Sequence, residues 1–501
     1  MRTRTNIAKL NICTAFVSQI VTIVCGLILP RVMLTAFGSE GYGAASSITQ
    51  FLAYIALLEG GICGVARAAL YRPLAENEYD KVGQILQQLK KFFNCIAYVF
   101  LIYVIILATT FKYIAHVECF DWFFTFCLVI SISISTFAQY FIGIKYSVFL
   151  QAAQKTYVST IISLVAIVLN TVLTIILINY GFNLVIVKFV SSCIYALRPI
   201  ALWVYVKRSY NIPKVEDSKE NLLPQKWEAL AQHFAYFIHS NTDIVVLTIF
   251  SNLKSVAVYS VYSMIISSMQ GLVTSFTSGM EALFGDMLAK KEKRNLHNTF
   301  DTYETLISMT TIVAFSTTIM LIVPFVVMYT NSINDANYSQ PAFAIFMIAA
   351  SFAFCFRQPY HAIVNAAGKF RETRTAAFGE AIINLGVSIV LVNFIGLVGV
   401  AVGTFSAVMF RYIYYVIFLA RNIMQLNVLS VLKRALINIV NILLLGLFAF
   451  IIGDNFNLYT IYGWITGAII MLFISTCVTC LLNYCFYRRE FMVILNKVTR
   501  R

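Results

Sequence analysis

Charge is what this 501-residue sequence has least of. Asp, Glu, Lys and Arg make up 12% of it while 60% is apolar, about half the charged share of an ordinary soluble protein. With a mean hydropathy of +0.80, that scarcity excludes a soluble globular chain and a disordered one alike. No GxxxxGK[ST] loop is present, so the chain does not power itself with ATP. The five histidines form no metal-ligand pattern, His233 and His239 being six apart. Eleven cysteines lie almost entirely inside apolar runs, with only Cys119 in an expected outer loop, so no disulfide framework is implied. Cys477 and Cys480 have redox-motif spacing but sit within the last apolar run. A net charge of +15 would suit nucleic acid, yet the distribution of the basic residues accounts for it differently.

What is present in abundance is long apolar runs. A spanning helix needs about 20 mostly apolar residues, and fourteen segments qualify: 9–31, 44–70, 92–111, 122–144, 156–178, 183–206, 233–250, 256–284, 304–329, 341–365, 374–393, 396–420, 434–453 and 459–486. The expected architecture is an all-α, polytopic membrane protein. If the chain starts inside, 29 Lys and Arg fall in inner segments and only Arg31, Lys112 and Lys254 outside. Basic residues in short loops resist translocation, so both termini are expected in the cytoplasm and most of the positive charge is topology signal. The first apolar run is too long for a signal peptide and lacks a small-residue cleavage site, so it reads as a retained helix. The amphipathic stretch Tyr79 to Phe93 reads as a positioning element on the inner membrane surface.

The chain also repeats itself. An offset of 214 residues pairs Tyr146 with Tyr360, Lys155 with Lys369, Asn170 with Asn384 and Asn179 with Asn393, and a one-residue slip pairs Arg198 with Arg411. Each copy holds six spans, an even number, so the two lobes enter the membrane from the same side and are expected to be related by a parallel pseudo-two-fold axis, as in secondary transporters. The organisation expected is an N-lobe at 1–206, a cytoplasmic linker at 207–232, a C-lobe at 233–425, and two extra helices with a basic tail at 426–501.

Several segments carry a family resemblance. The first span ends Leu29-Pro30-Arg31 and is followed by Phe37-Gly38-Ser39-Glu40-Gly41-Tyr42-Gly43, Ser46-Ser47-Ile48-Thr49-Gln50-Phe51 and Leu58-Glu59-Gly60-Gly61. Leu70-Tyr71-Arg72-Pro73-Leu74-Ala75 comes next, and the sixth span contains Val187-Lys188-Phe189-Val190-Ser191-Ser192 and Leu197-Arg198-Pro199. In order, spacing and helix count the chain resembles the Wzx-type polysaccharide flippases of the multidrug/oligosaccharidyl-lipid/polysaccharide (MOP) exporter superfamily, over essentially its whole length. The resemblance implies a bacterial cytoplasmic membrane protein. Its task would be to move an undecaprenyl-pyrophosphate-linked oligosaccharide, the repeat unit of O-antigen, capsule or exopolysaccharide, from the inner to the outer leaflet by alternating access. Membrane lipids, and a glycan polymerase or other assembly proteins, are the partners it implies.

Ionisable residues inside spans are functional candidates by default. Arg198, Arg357 and Arg411 lie about 12 to 15 Å from the inner end of their helices, and their forked donors match a pyrophosphate. Pairing within the protein, for example with Glu59 or Glu281, is the competing reading. Arg67 either snorkels or joins them, Lys188 either snorkels outward or receives the headgroup, and Arg31 marks the outer mouth. Glu59, beside Gly60 and Gly61, reads as an ion-pair partner of an arginine before a sugar contact. The seventh span carries His233, Tyr236, His239, Ser240, Asn241, Thr242 and Asp243, a polarity that survives in lipid only against protein or water. Asp243, Glu380, Asn384, Thr404 and the Val400 carbonyl form a candidate sodium or proton site, since hard cations prefer oxygen ligands. Lipid II flippases, as relatives, carry a sodium site on the same three helices. Here acid and amide stand in reversed order at 380 and 384, and the alternative is a set of interhelical hydrogen bonds.

No other cofactor is expected. A membrane glycosyltransferase or polymerase would need an acceptor site outside the bilayer, yet the expected outer loops are short, with Asp335 the only acid in the longest. An enzyme is therefore not expected. The second reading is a cation-coupled multidrug exporter of the same superfamily, although such exporters usually have twelve helices.

Overall fold

Backbone polar groups in lipid must be satisfied internally, so a chain this apolar has to fold as helices. The computed structural model describes residues 4–59, 62–116, 118–213, 242–277, 280–424 and 428–499, and among them helices are joined by short turns with no strand. The first compact unit, Met1–Ala257, contains α1 (Arg4–Ala53), α2 (Ala56–Glu59), α3 (Ile62–Ala75), α4 (Tyr79–Ile114), α5 (Trp122–Ala138), a π-helical turn (Gln139–Gly143), α6 (Ile144–Ala152), α7 (Thr156–Asn179), α8 (Leu184–Ser209) and the helical segment α9 (242–250). The second, Val258–Arg501, holds all but the first turn of α10 (Leu253–Thr274), then α11 (Met280–Ala289), α12 (Lys293–Tyr329), α13 (Pro341–Ala366), α14 (Phe370–Ile395), α15 (Leu397–Asn422), α16 (Val428–Asn455), α17 (Ile461–Phe486) and α18 (Arg488–Thr499).

Twelve of the described helices are long and apolar enough to cross a membrane. The two further spans expected from the sequence are accounted for separately. The first expected span and the beginning of the second form one helical run bent at Gly38, whose φ of 67° and ψ of 179° favour glycine, and the rest of the second span falls in α2 and α3. Helix α1 therefore passes through Arg31 without ending there. The seventh span lies mostly outside the described residues, His233, Tyr236, His239, Ser240 and Asn241 included, as do Gly60, Gly61 and 214–232 of the expected linker.

Residues 242–257 group with the first unit, where the sequence reading assigns them to the C-lobe. Ser47 and Thr248 share a buried hydroxyl hydrogen bond of 2.6 Å, and a Cβ on Gly43 would lie 2.0 Å from the Leu253 carbonyl oxygen. The stretch Tyr79 to Phe93 also differs from expectation. No proline interrupts 79–114, so it is the first part of the continuous α4, with Val82, Ile85, Leu89 and Phe93 buried in the core.

The repeat is written in the backbone. Asn77 (φ 58°) and Lys291 (φ 57°), 214 residues apart, both take the left-handed conformation, as do Gln154 (φ 59°) and Gly368 (φ 66°) at the same offset. The turns they make are closed alike, Glu78 N donating to Pro73 O at 2.8 Å and Glu292 N to Met287 O at 3.0 Å, Lys155 N to Leu150 O at 2.9 Å and Lys369 N to Val364 O at 3.2 Å. These are the bonds that satisfy carbonyls at a helix end. Helices α4 and α12, and α7 and α14, begin 214 residues apart, and α8 and α15 begin 213 apart.

The copies differ locally. The π turn of the first has only regular helix as its counterpart at 353–357 of α13, and Gly143 stands where the second copy has Arg357. A Cβ on Gly143 would be 2.7 Å from Pro199 Cβ, so glycine lets α8 approach the π turn. In the second unit Gly399 and Gly403 bring α15 against α14, where added Cβ atoms would sit 2.4 Å from the Leu391 carbonyl carbon and 2.1 Å from Ser388 Oγ. Small residues four apart are how helices pack closely in lipid.

The two extra helices are tied to α12 and to each other by polar contacts. Trp464 Nε1 donates to the Leu321 carbonyl at 3.1 Å, and Asn441 Nδ2 to Thr479 Oγ1 at 3.2 Å between α16 and α17. Leu432, Leu436, Leu443, Leu447 and Phe450 of α16 are exposed, the face such a helix turns to acyl chains.

Candidate functional site

In the first unit α8 carries two half-buried cations, Arg198 in its second half and Lys188 near its start. Arg198 is half-buried, donates from Nη2 to Ser163 Oγ of α7 at 2.7 Å and stacks on the Tyr195 ring, 5.7 Å from its centroid. Tyr195 in turn accepts from Asn170 Nδ2 at 3.4 Å. Where the second copy has Glu380, this one has Ala166, and among the described residues no acid pairs with Arg198 or with Lys188, also half-buried. A guanidinium held by a hydroxyl and a ring keeps its full charge and most of its donors for something else.

Glu59 occupies the one-turn α2. Its carboxylate accepts from Cys63 Sγ at 2.9 Å and from the Tyr140 hydroxyl at 3.4 Å. The sequence reading expects an arginine there, and the structure supplies two neutral donors. Tyr140 reaches Glu59 from the π turn, which re-aims the helix face as π turns often do at functional positions. Arg67 is exposed and donates to Gln151 Oε1 at 3.1 Å. Arg31 is exposed as well. Asp243 is buried in α9, whose Thr242 side chain hydrogen-bonds Tyr54 in the turn after α1.

The second unit brings three candidates together. Arg357 Nη1 lies 2.7 Å from Glu380 Oε1, and Arg411 Nη1 pairs with Glu380 Oε2. Glu380 is fully buried, Arg357 is 5% and Arg411 7% exposed. Arg411 Nη2 also donates to the Tyr415 hydroxyl at 3.1 Å, and the His361 ring lies tilted against Tyr415 with centroids 5.7 Å apart.

This corrects two expectations. The acid that pairs with these arginines is Glu380. Glu59 is held by neutral donors, and the exposed Glu281 accepts from Asn365 Nδ2 at 2.8 Å. Glu380 in turn is no ligand for a coupling cation here, because both its oxygens face guanidinium charge that would repel one. Beside it, Asn384 Nδ2 donates to Thr404 Oγ1 at 3.1 Å and Ser388 Oγ to the Val400 carbonyl at 3.4 Å. These are the interhelical hydrogen bonds weighed as the alternative to an ion site.

One cluster has no counterpart in the sequence reading. Glu304 of α12 accepts from the Tyr360 hydroxyl of α13 at 2.5 Å and pairs with Arg434 of α16. Arg434 also lies 3.6 Å from Asp301 and over the Tyr487 ring at 4.8 Å. The apolar segments put Glu304 and Arg434 at the first residue of their spans, a position that suggests interface. Both helices begin earlier, at Lys293 and Val428, so the pair is helix-internal. The available signal was the i,i+3 spacing of Asp301 and Glu304, which puts two acids on one face.

No protein-family description and no curated protein sequence matches the chain. Solved structures do. The inward closed conformation of the lipid II flippase MurJ is similar at a TM-score of 0.69 with 15% identity, covering 96% of this chain and 99% of that one. The chain has the MOP exporter fold. An inward-facing multidrug resistance MATE family transporter of the MOP superfamily matches at 0.59 with 16% identity, over 79% of this chain and 93% of that one. A structure of the MATE multidrug transporter DinF-BH also matches at 0.59, with 15% identity, over 85% and 97%. The MurJ likeness leaves too little of this MOP-fold chain uncovered to omit both extra helices α16 and α17. These relatives are transporters and flippases, and the chain is a multi-pass membrane protein of their architecture.

Proposed function

We propose that the chain is a flippase for undecaprenyl-pyrophosphate-linked oligosaccharide, working by alternating access in a bacterial cytoplasmic membrane with both termini inside. The observation that carries this reading is Arg198, a half-buried guanidinium that meets a hydroxyl and a ring but, among the described residues, no acid. A charge left unanswered inside a membrane costs several kcal/mol, and an anionic headgroup answers it. Lys188, ten residues along the same helix, extends the cationic path toward the outer leaflet. The MurJ likeness supports a lipid-linked substrate, and the glycan polymerase or other assembly proteins that consume the product are the partners proposed. We assign coupling to a sodium or proton gradient, with Asp243 as the acid that takes the ion.

A second reading, export of lipophilic cations, is favoured by Glu59, a membrane carboxylate whose neutral donors leave its charge available to a cation. Deleting the gene separates the two. Flippase action predicts that lipid-linked pyrophosphoryl oligosaccharide accumulates on the cytoplasmic leaflet. Normal sugar export together with sensitivity to cationic drugs would instead establish the exporter.

A further inference from the structure

We propose that Glu380 is a built-in counter-anion, occupying Arg357 and Arg411 until a diphosphate group takes its place. This rests on the flippase reading and names how the second unit would contact the headgroup. A carboxylate bridging two guanidiniums presents its oxygens much as two non-bridging phosphate oxygens would, and arginine forks bind both groups by the same geometry. Glu380 uses that geometry incompletely. It takes one Nη from each arginine, and among the described residues the buried Nε atoms of Arg357 and Arg411 meet no hydrogen-bond partner. Unpaired buried donors are costly, so the cluster as it stands is under-satisfied in acceptors.

The charge points the same way. Among the described residues two guanidiniums stand against one carboxylate, and the other groups that face them, the imidazole of His361, the phenol of Tyr415 and the ring of Phe354, carry no negative charge. An anion is therefore attracted before Glu380 moves. Access is graded too: the arginines keep a few per cent of their surface open while the carboxylate keeps none, so an arriving anion meets guanidinium first. The first unit shows the same helix position without the device, since Ala166 replaces the acid and Arg198 rests on Ser163. If the acid were needed only to hold α8-like and α7-like helices together, the first copy would need one as well.

The test uses the full chain purified in detergent micelles, with inorganic pyrophosphate as the probe at fixed ionic strength. Removing the competing charge by Glu380→Gln is expected to tighten pyrophosphate binding about tenfold. Export of lipid-linked sugar by the same variant should fall, because the site no longer resets. Unchanged or weaker pyrophosphate binding in a folded Glu380→Gln protein, or no binding by either protein, overturns the proposal and leaves the carboxylate as a helix staple. Should the Gln variant not fold, Glu380→Asp keeps the charge on an arm too short to bridge both arginines, and tighter binding is again the expected result, unchanged binding the contrary one. Tighter binding by a protein whose gene deletion causes no build-up of lipid-linked sugar would uphold the anion exchange while removing the flippase reading, so the two fail separately.

Discussion

Arg198→Ala lowers export of the lipid-linked glycan tenfold or more, while the protein inserts and melts close to wild type. The size follows from what the side chain gives up. A charge-assisted contact to a phosphate, formed away from bulk water, is worth about 1.5 to 3 kcal/mol, and each step of about 1.4 kcal/mol is tenfold in an equilibrium or rate. The small effect on stability follows from the partners, since Ser163 loses one hydrogen bond and Tyr195 one stacked cation, and no buried acid is orphaned. Export in cells and thermal unfolding of the purified protein check the two halves. Undiminished export would leave the deep charge of α8 without a role in transport.

Arg434→Ala has the opposite signature, a loss of stability of about 3–5 kcal/mol, the usual cost of leaving one member of a buried ion pair behind. Glu304 is buried against Tyr360 and Arg434, and without the guanidinium its carboxylate faces lipid-depth surroundings with one phenol for support. The contact joins α16 to α12, so its loss should loosen both extra helices from the rest of the second unit. Adding Glu304→Gln to Arg434→Ala removes the orphaned charge and should restore part of the stability, which a double-mutant cycle in detergent unfolding measures. Equal stability of Arg434→Ala and wild type would show that the pair contributes nothing to holding α16 in place.

The comparison of these arginines explains how far the sequence could be read. Span number and the repeat are set by the distribution of hydrophobic and charged residues along the chain, quantities that do not depend on tertiary contacts. Hence the 214-residue offset reappears in the left-handed residues at 77 and 291 and at 154 and 368. Where the reading falls short, the missing term is spatial. Depth along a helix identifies Arg357 and Arg411 as costly, yet depth cannot tell which acid faces them, and Glu380 reads as a cation ligand because its oxygen-rich neighbours Asn384 and Ser388 share its face. The spacing of those three is correct. The rotation of α14 toward α13 and α15 decides the partner. Glu304 is hidden for a related reason, since the hydropathy edge of its span falls about three turns after the helix begins at Lys293. Glu59 shows the limit most plainly, because its donors come from a thiol one turn away and from a tyrosine on a π turn that no periodicity announces.

The account stands or falls on transbilayer movement of a diphosphate-linked lipid. Purified protein in sealed vesicles, loaded on one leaflet with undecaprenyl-pyrophosphate oligosaccharide and energised by a sodium or proton gradient, should carry the lipid to the other leaflet, and the Arg198→Ala protein should not. If the lipid stays where it was placed while the same vesicles transport a lipophilic cation, the positive path on α8 does not serve a pyrophosphate and the account is contradicted.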